Sequence, residues 1–399
     1  MPNQRGIFVT TLLVIIYIAF ISLGLPDSVL GSAWPVIRMD LSAPVSLVGY
    51  VAMTVSAGTV ISSLLSHRMV ARFGTAKVTV VSVAMTALAL LGYSFVGETG
   101  YLFLLAIPLG LGAGSVDAAL NNFIALHYKS MHMNWLHCFW GVGATAGPLI
   151  MSLFVANQGG WRTGYLVIAA LQFALVAVLL VTMKLWEGKD LGAPKGENGD
   201  HKVLSNRKAL ALPSVKLALV SFIFFSVTET TTGLWSSSYL VGIEGMAAAT
   251  AARWTASFYA GITLGRLLSG FLSIRLKSSV LIRTGQLVCV IGTLLLILPL
   301  PATVSALGFV AIGLGTAPIF PAMLHETPHR FGSEASGAIM GLQMAVAYSG
   351  GTFGSPLFGA LASLTSLTLL PYFLLAAVLV MLIASEMLNK RMAGRTKMT

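Results

Sequence analysis

Apolar runs long enough to cross a bilayer recur along the chain, at roughly 8–36, 44–66, 78–97, 101–126, 134–156 and 162–186. They resume at about 214–240, 252–274, 279–300, 303–326, 336–362 and 366–389. A membrane-spanning helix needs about 20 such residues, so the pattern predicts twelve spans. The stretch 187–213 between the two sets is rich in charge, Gly and Asn, the composition of a flexible, solvated linker. The expected organisation is a six-helix bundle over 1–186, a linker over 187–213, and a second six-helix bundle over 214–399 ending in a short basic tail. Residues 7–23 continue through Pro26 into further apolar sequence, so they are expected to form a first span and not a removed leader.

Composition strengthens this picture. The chain is 56% hydrophobic and 9% charged, with a mean hydropathy of +0.86. Soluble domains carry about 25% charged residues, so this inventory cannot cover a water-exposed surface, whereas lipid can replace water around an all-helical protein. The net charge of +11 raises the question of nucleic acid. Its distribution answers otherwise. Twenty of the 24 Lys and Arg fall at one side of the predicted spans, Arg38, Arg162 and Arg253 at the other, and Arg266 within a span. That asymmetry predicts cytoplasmic termini and linker, in a bacterial-type inner membrane. Cys138 and Cys289 both lie in apolar segments and read as small buried hydrophobes.

The two halves repeat. Ala57, Gly58, Leu64, Leu65, Ser66 and Arg72 align with Ala260, Gly261, Leu267, Leu268, Ser269 and Arg275 at an offset of 203, which also carries Gly110-Leu111-Gly112 onto Gly313-Leu314-Gly315. Gly143 and Pro148 fall on Gly351 and Pro356 at an offset of 208. Matches in order at almost constant offset point to two homologous, pseudo-symmetric six-span halves.

The loop from His67 to Lys77 is similar to the signature loop of the major facilitator superfamily, G-x-x-x-D-R-x-G-R-x-x. Arg72, Gly74 and Lys77 are kept, while His67 and Ala71 replace its Gly and Asp. The stretches Gly24 to Gly31, Trp34-Pro35, GLGAGSVDAALN at 110–121, LHCFWGVGATAGP at 136–148 and GLGTAPIFP at 313–321 resemble the fucose–galactose–glucose:H⁺ symporter family. Glu229, Trp235 and Tyr239 do likewise. The resemblance implies a major facilitator fold and proton-coupled transport of a small solute. It also implies a proton-coupling role for the span-4 acid, whose position Asp117 occupies.

Four charges are predicted inside spans: Asp27, Asp117, Glu229 and Arg266. Insertion scales put a mid-membrane charge at about 2.5–3.5 kcal/mol, so each needs a partner, a water cavity or a proton. Asp117 shares a face of its span with Gly110, Gly114 and Asn121, and an acid in a low-dielectric cavity can exchange a proton near neutral pH. It can instead hold a fixed hydrogen bond to a neighbouring span. Asp27 follows Pro26, where a helix break would expose carbonyls beside the acid, or where Asp27 would serve as a cap. Glu229 and Arg266 form either a structural pair or a proton-coupled switch.

Neutral polyols are recognised by amides and flat aromatic faces. Asn121, Asn122, Gln172, Gln286 and Gln343 are the amides in spans; Trp34, Trp140, Trp235, Tyr239 and Tyr348 are the candidate faces, each also explicable as packing or an interface anchor. His137 is a candidate for lining the cavity or for a structural hydrogen bond. No Walker loop, no cluster with metal-ligand spacing and no hydrolytic triad stands out, so neither a cofactor, a metal nor an enzymatic activity is expected. The expectation is a monomeric transporter in which solute and protons meet near the midplane and two halves rock. Export of amphipathic compounds is the alternative, and a non-transporting membrane sensor is a reading of another class.

Overall fold

The structure, a computed structural model, describes residues 2–128, 130–156, 160–186 and 206–396. Among these residues it is built from helices: α1 (Pro2–Asp40), α2 (Leu47–Phe73), α3 (Thr75–Tyr93), α4 (Thr99–His127), α5 (Ser130–Ser152), α6 (Gly160–Val181), the short α7 (Asn206–Ala211), α8 (Val215–Gly242), α9 (Ala248–Leu272), α10 (Ser278–Ile297), α11 (Ala302–Thr316), α12 (Ile319–Phe331), α13 (Ser333–Leu364) and α14 (Leu370–Thr396). Helices close their backbone hydrogen bonds within one segment, as hydrocarbon requires. Each predicted apolar run lies on one of these helices, the tenth being divided between α11 and α12. By length and hydropathy, nine stretches among the described residues can cross a membrane, α11 and α12 counting as one. The other long helices, α5, α9 and α13, carry polar residues along their length: His132 and His137, Arg253 and Arg266, and Gln343.

The chain divides into two compact units, Met1–Glu197 with Ala247–Ala256, and Asn198–Met246 with Ser257–Thr399. Residues 187–205 of the expected linker lie outside the described residues. The remainder departs from the flexible coil expected of it. Residues 206–211 form α7, because Ala209 fits the apolar cluster of Val215, Leu219, Ala335 and Ile339 while Arg207 and Lys208 stay exposed.

Within each unit the helices touch through glycines, and the repeat appears atom for atom. A Cβ on Gly110 of α4 would collide with the carbonyl oxygen of Val55 on α2; on Gly313 of α11 it would collide with that of Phe258 on α9. Both residues of each pair are related by the offset of 203. In the same way Gly143 of α5 abuts the carbonyl of Ile21 on α1, and Gly350 of α13 abuts that of Ile223 on α8. Those contacts correspond at offsets of 207 for α5 and α13 and 202 for α1 and α8, so Gly143 matches Gly350 and not the expected Gly351. Gly74 and Gly332 make the turns between α2 and α3 and between α12 and α13 at φ 83° and 85°, ψ 156°, a conformation open essentially to glycine alone.

The helix break expected at Pro26 is absent. α1 runs on from Pro2 to Asp40 with Pro26 and Pro35 inside it. Pro26 has no N–H to offer the Ser22 carbonyl four residues back. Gln172 of α6 takes that place: its Nε2 donates to the Ser22 carbonyl at 2.6 Å, and the Ser22 hydroxyl donates to its Oε1. At its other end α1 is tied by Asp40, which accepts from Arg162 and from Trp161 Nε1 at 3.1 Å. Arg162 also donates to the Val96 carbonyl and stacks over the Trp161 ring, 4.3 Å from its centroid. In the second unit Arg283 and Glu386 form a two-pronged pair, and Arg330 bridges Glu326 and Asn389, linking α10, α12 and α14.

Gly143→Val is expected to lower the melting temperature of the purified protein markedly, since overpacking costs about 1–3 kcal/mol where the neighbours can shift and a backbone carbonyl cannot shift far. Gly100→Ala, at a glycine with open space around it, serves as the neutral control. Gln172→Leu, which strands the buried Ser22 carbonyl, should cost about 1–3 kcal/mol by the same measurement.

Candidate functional site

The close approach of α1 and α5 sets the first part of the site. Gly24 lies against the backbone of Trp140 and Ala144, so the Trp140 side chain comes down beside the next turn of α1. Its Nε1 donates to Asp27 Oδ2 at 2.8 Å. Asp27 is exposed although Pro26 and Ser28 on either side are buried. On α4, Asn121 donates its Nδ2 to Asp117 Oδ1 at 2.9 Å and to the Asp117 carbonyl at 3.0 Å, as residues one turn apart can. Asp117 is half-buried. The adjoining Asn122 is exposed, as is His137, whose ring meets Phe20 edge-on at 6.1 Å. Among the described residues neither Asp27 nor Asp117 has an ion-pair partner.

The second unit treats its acid differently. Arg266 Nη2 of α9 lies 3.8 Å from Glu229 Oε2 of α8, with the two side chains 20% and 19% exposed. That Glu229 oxygen has no hydrogen-bond partner, so attraction between charges is what holds it. At an effective dielectric of about 20, unit charges some 4 Å apart attract by about 4 kcal/mol, which offsets much of the roughly 2.5–3.5 kcal/mol that each charge costs at mid-membrane.

Other predicted site residues are placed in the packing. Trp235 is fully buried, donates to the Ser355 carbonyl at 3.1 Å and meets Phe358 edge-on. Tyr239 is buried with its hydroxyl on the Leu296 carbonyl, and Gln343 is buried with its Oε1 accepting from Thr327. Gln286 accepts from Ser385, and Trp34 donates to the Val45 carbonyl. Tyr348 is exposed. In this conformation Trp235, Tyr239 and Gln343 offer no open face to a solute, because all three are buried within the packing.

Two features escaped the sequence reading. Asp27 and Glu229 are repeat equivalents at the offset of 202, which the search at 203 and 208 passed over. His325 and His329 are one turn apart on α12 with ring centroids 5.4 Å apart, in a His-Glu-x-x-His string. That spacing is one that metal sites use, contrary to the expectation of none. Glu326 within it is held by Arg330 at 3.0 Å, and among the described residues no group of three His, Cys, Asp or Glu is placed to hold a metal ion.

Residues 16–355 match the model of the Major Facilitator Superfamily. The chain is 26% identical over 290 residues to the Bypass of stop codon protein 6 of Saccharomyces cerevisiae, covering 65% of this chain and 56% of that protein. It is 23% identical over 271 residues to the glucose/mannose transporter GlcP of Bacillus subtilis, covering 66% of each. These alignments thus span less than two thirds of either relative. In fold it is similar to a crystal structure of a D-xylose-proton symporter, with a TM-score of 0.73 at 13% identity over 96% of this chain and 97% of that one.

Removing one member of the Glu229–Arg266 pair should be worse than removing both. Arg266→Gln is expected to lower the melting temperature by leaving a buried carboxylate uncompensated, and Glu229→Gln in the same chain should restore much of the loss. Additive losses would show that the two side chains do not act as a pair.

Proposed function

This chain belongs to the Major Facilitator Superfamily, and from that premise we propose that it is a proton-coupled symporter of a small neutral solute such as a sugar. It works as a monomer in a bacterial-type cytoplasmic membrane with both termini inside. The carrying observation is the two carboxylates on α1 and α4, Asp27 and Asp117, both within apolar helices and, among the described residues, both without an ion-pair partner. A carboxylate so placed is relieved most readily by a proton.

Chemically, the site combines what a polyol and a proton each require. Asp27, Asp117, Asn122 and His137 offer hydrogen-bonding groups, and the Trp140 indole, steadied by its bond to Asp27, offers a flat face to a sugar ring. With the proton bound, one of the two carboxylates is neutral as the solute moves; with it gone, the restored charge disfavours the loaded, closed state. One proton crossing with the solute supplies about 2.3 kcal/mol per 100 mV, which supports a gradient of roughly 50-fold. The transport activities named for the glucose/mannose and D-xylose relatives agree with a neutral hexose or pentose as cargo.

The test uses proteoliposomes, a pH dye and a panel including D-glucose, D-mannose and D-xylose. One solute should alkalinise the outer medium, and Asp117→Asn should abolish uphill accumulation while leaving counterflow exchange. Accumulation that persists in Asp117→Asn would remove Asp117 from the coupling site. Flux of every accepted solute without proton movement would replace symport by facilitated diffusion.

A further inference from the structure

The two halves differ at one repeat position, and the difference bears on where a proton can be carried. Packing contacts establish the register. The Ile21–Gly143 and Ile223–Gly350 contacts relate α1 to α8 at an offset of 202, and the Val55–Gly110 and Phe258–Gly313 contacts relate α2 to α9 at 203. In that register Asp27 corresponds to Glu229, and Arg266 corresponds to Ser63. Each half therefore places an acid at the same level of its first helix. The corresponding position on the second helix holds a guanidinium in one half and a hydroxyl in the other. Ser63 spends its hydroxyl on the Gly114 carbonyl of α4 at 3.1 Å, within the helix contact. Asp27 is met instead by the neutral Trp140 indole of α5. Glu229 is met by Arg266 of α9.

We propose that Arg266 fixes Glu229 as a charge-neutral pair that takes no proton during transport, and that serine at position 63 is what leaves Asp27 free to take one. Proton coupling then resides wholly in the first half, and Glu229 drops out of the coupling set that its burial alone places it in. Arg266 acts as a positioning residue: it contacts no proton and sets the protonation of its neighbour. The inference rests on the proton-coupled reading above and assigns that coupling to one of two otherwise equivalent sites. Moving the cation between the halves should move the protonatable group with it.

The experiment needs no cargo, because the proton is the probe. Reconstituted full-length protein is titrated from acid to alkaline pH while infrared difference spectroscopy records the carbonyl band of protonated carboxyl groups. Glu229→Gln is expected to leave the wild-type band unchanged. Arg266→Ser should add amplitude that Glu229→Gln in the same chain removes, and Ser63→Arg should remove the amplitude that Asp27→Asn removes. Loss of wild-type band in Glu229→Gln, a variant that keeps the side chain's size, would overturn the proposal without relying on folding of the arginine variants. If Asp27→Asn leaves the wild-type band intact, the coupling role of Asp27 fails, while the Glu229→Gln comparison still decides whether Arg266 silences Glu229.

Discussion

Hydrocarbon offers no water to a backbone carbonyl or a charge, so every polar group in the apolar helices must find its partner within the protein. Much of this structure follows from that constraint. The α2 hydroxyls of Thr59, Ser63 and Ser66 reach α4 carbonyls, Thr59 also meeting the Val55 carbonyl of its own helix. Gln172 is drawn to α1 because Pro26 leaves the Ser22 carbonyl without its usual donor. Glycine at the contacts lets backbones come close enough for such short side chains to bridge them. The polar bonds and the close packing are thus a single arrangement, and the side chains of the site inherit their positions from it.

The same constraint separates structural polar groups from chemical ones. Gln172, Gln286 and Gln343 are buried with their hydrogen bonds made, and Asp40 is held by Arg162 at the end of α1. Asp27 is not finished in this sense. One carboxylate oxygen has the Trp140 indole, none of the described residues pairs a cation with it, and the group is exposed. Asp117 is in a similar position with Asn121. Incompletely compensated acids inside apolar helices are where a proton or a solute has work to do, and both lie in the first half of the chain.

Gene duplication left the two halves with one packing scheme and different charges. Glycine–carbonyl contacts recur pair by pair, since a collision between backbones tolerates no substitute. Side chains that line no backbone contact were free to diverge, and the acid on the first helix of each half gained an arginine neighbour in one half only. The scaffold is thus symmetric while the charges on it are not.

Twelve helical segments, their order and the repetition of glycines were legible from the sequence, because the length of an apolar run and a recurring residue are properties of the chain itself. Asp27, Asp117, Glu229 and Arg266 stood out for the same reason: a charge within an apolar run is conspicuous without any knowledge of its neighbours. Their roles were not legible. Whether Pro26 breaks α1 depended on Gln172, whose hydrogen bonds to Ser22 join residues 150 positions apart on two helices. Whether Trp140 or Trp235 was an open face depended on which one met Asp27 and which met Ser355 and Phe358. The ion pair of Glu229 with Arg266 required two helices to set side chains 37 positions apart within reach. Periodicity and composition report what a segment needs, and only the tertiary structure decides which distant group supplies it, because those partners are chosen by packing between helices and leave no trace in the local pattern.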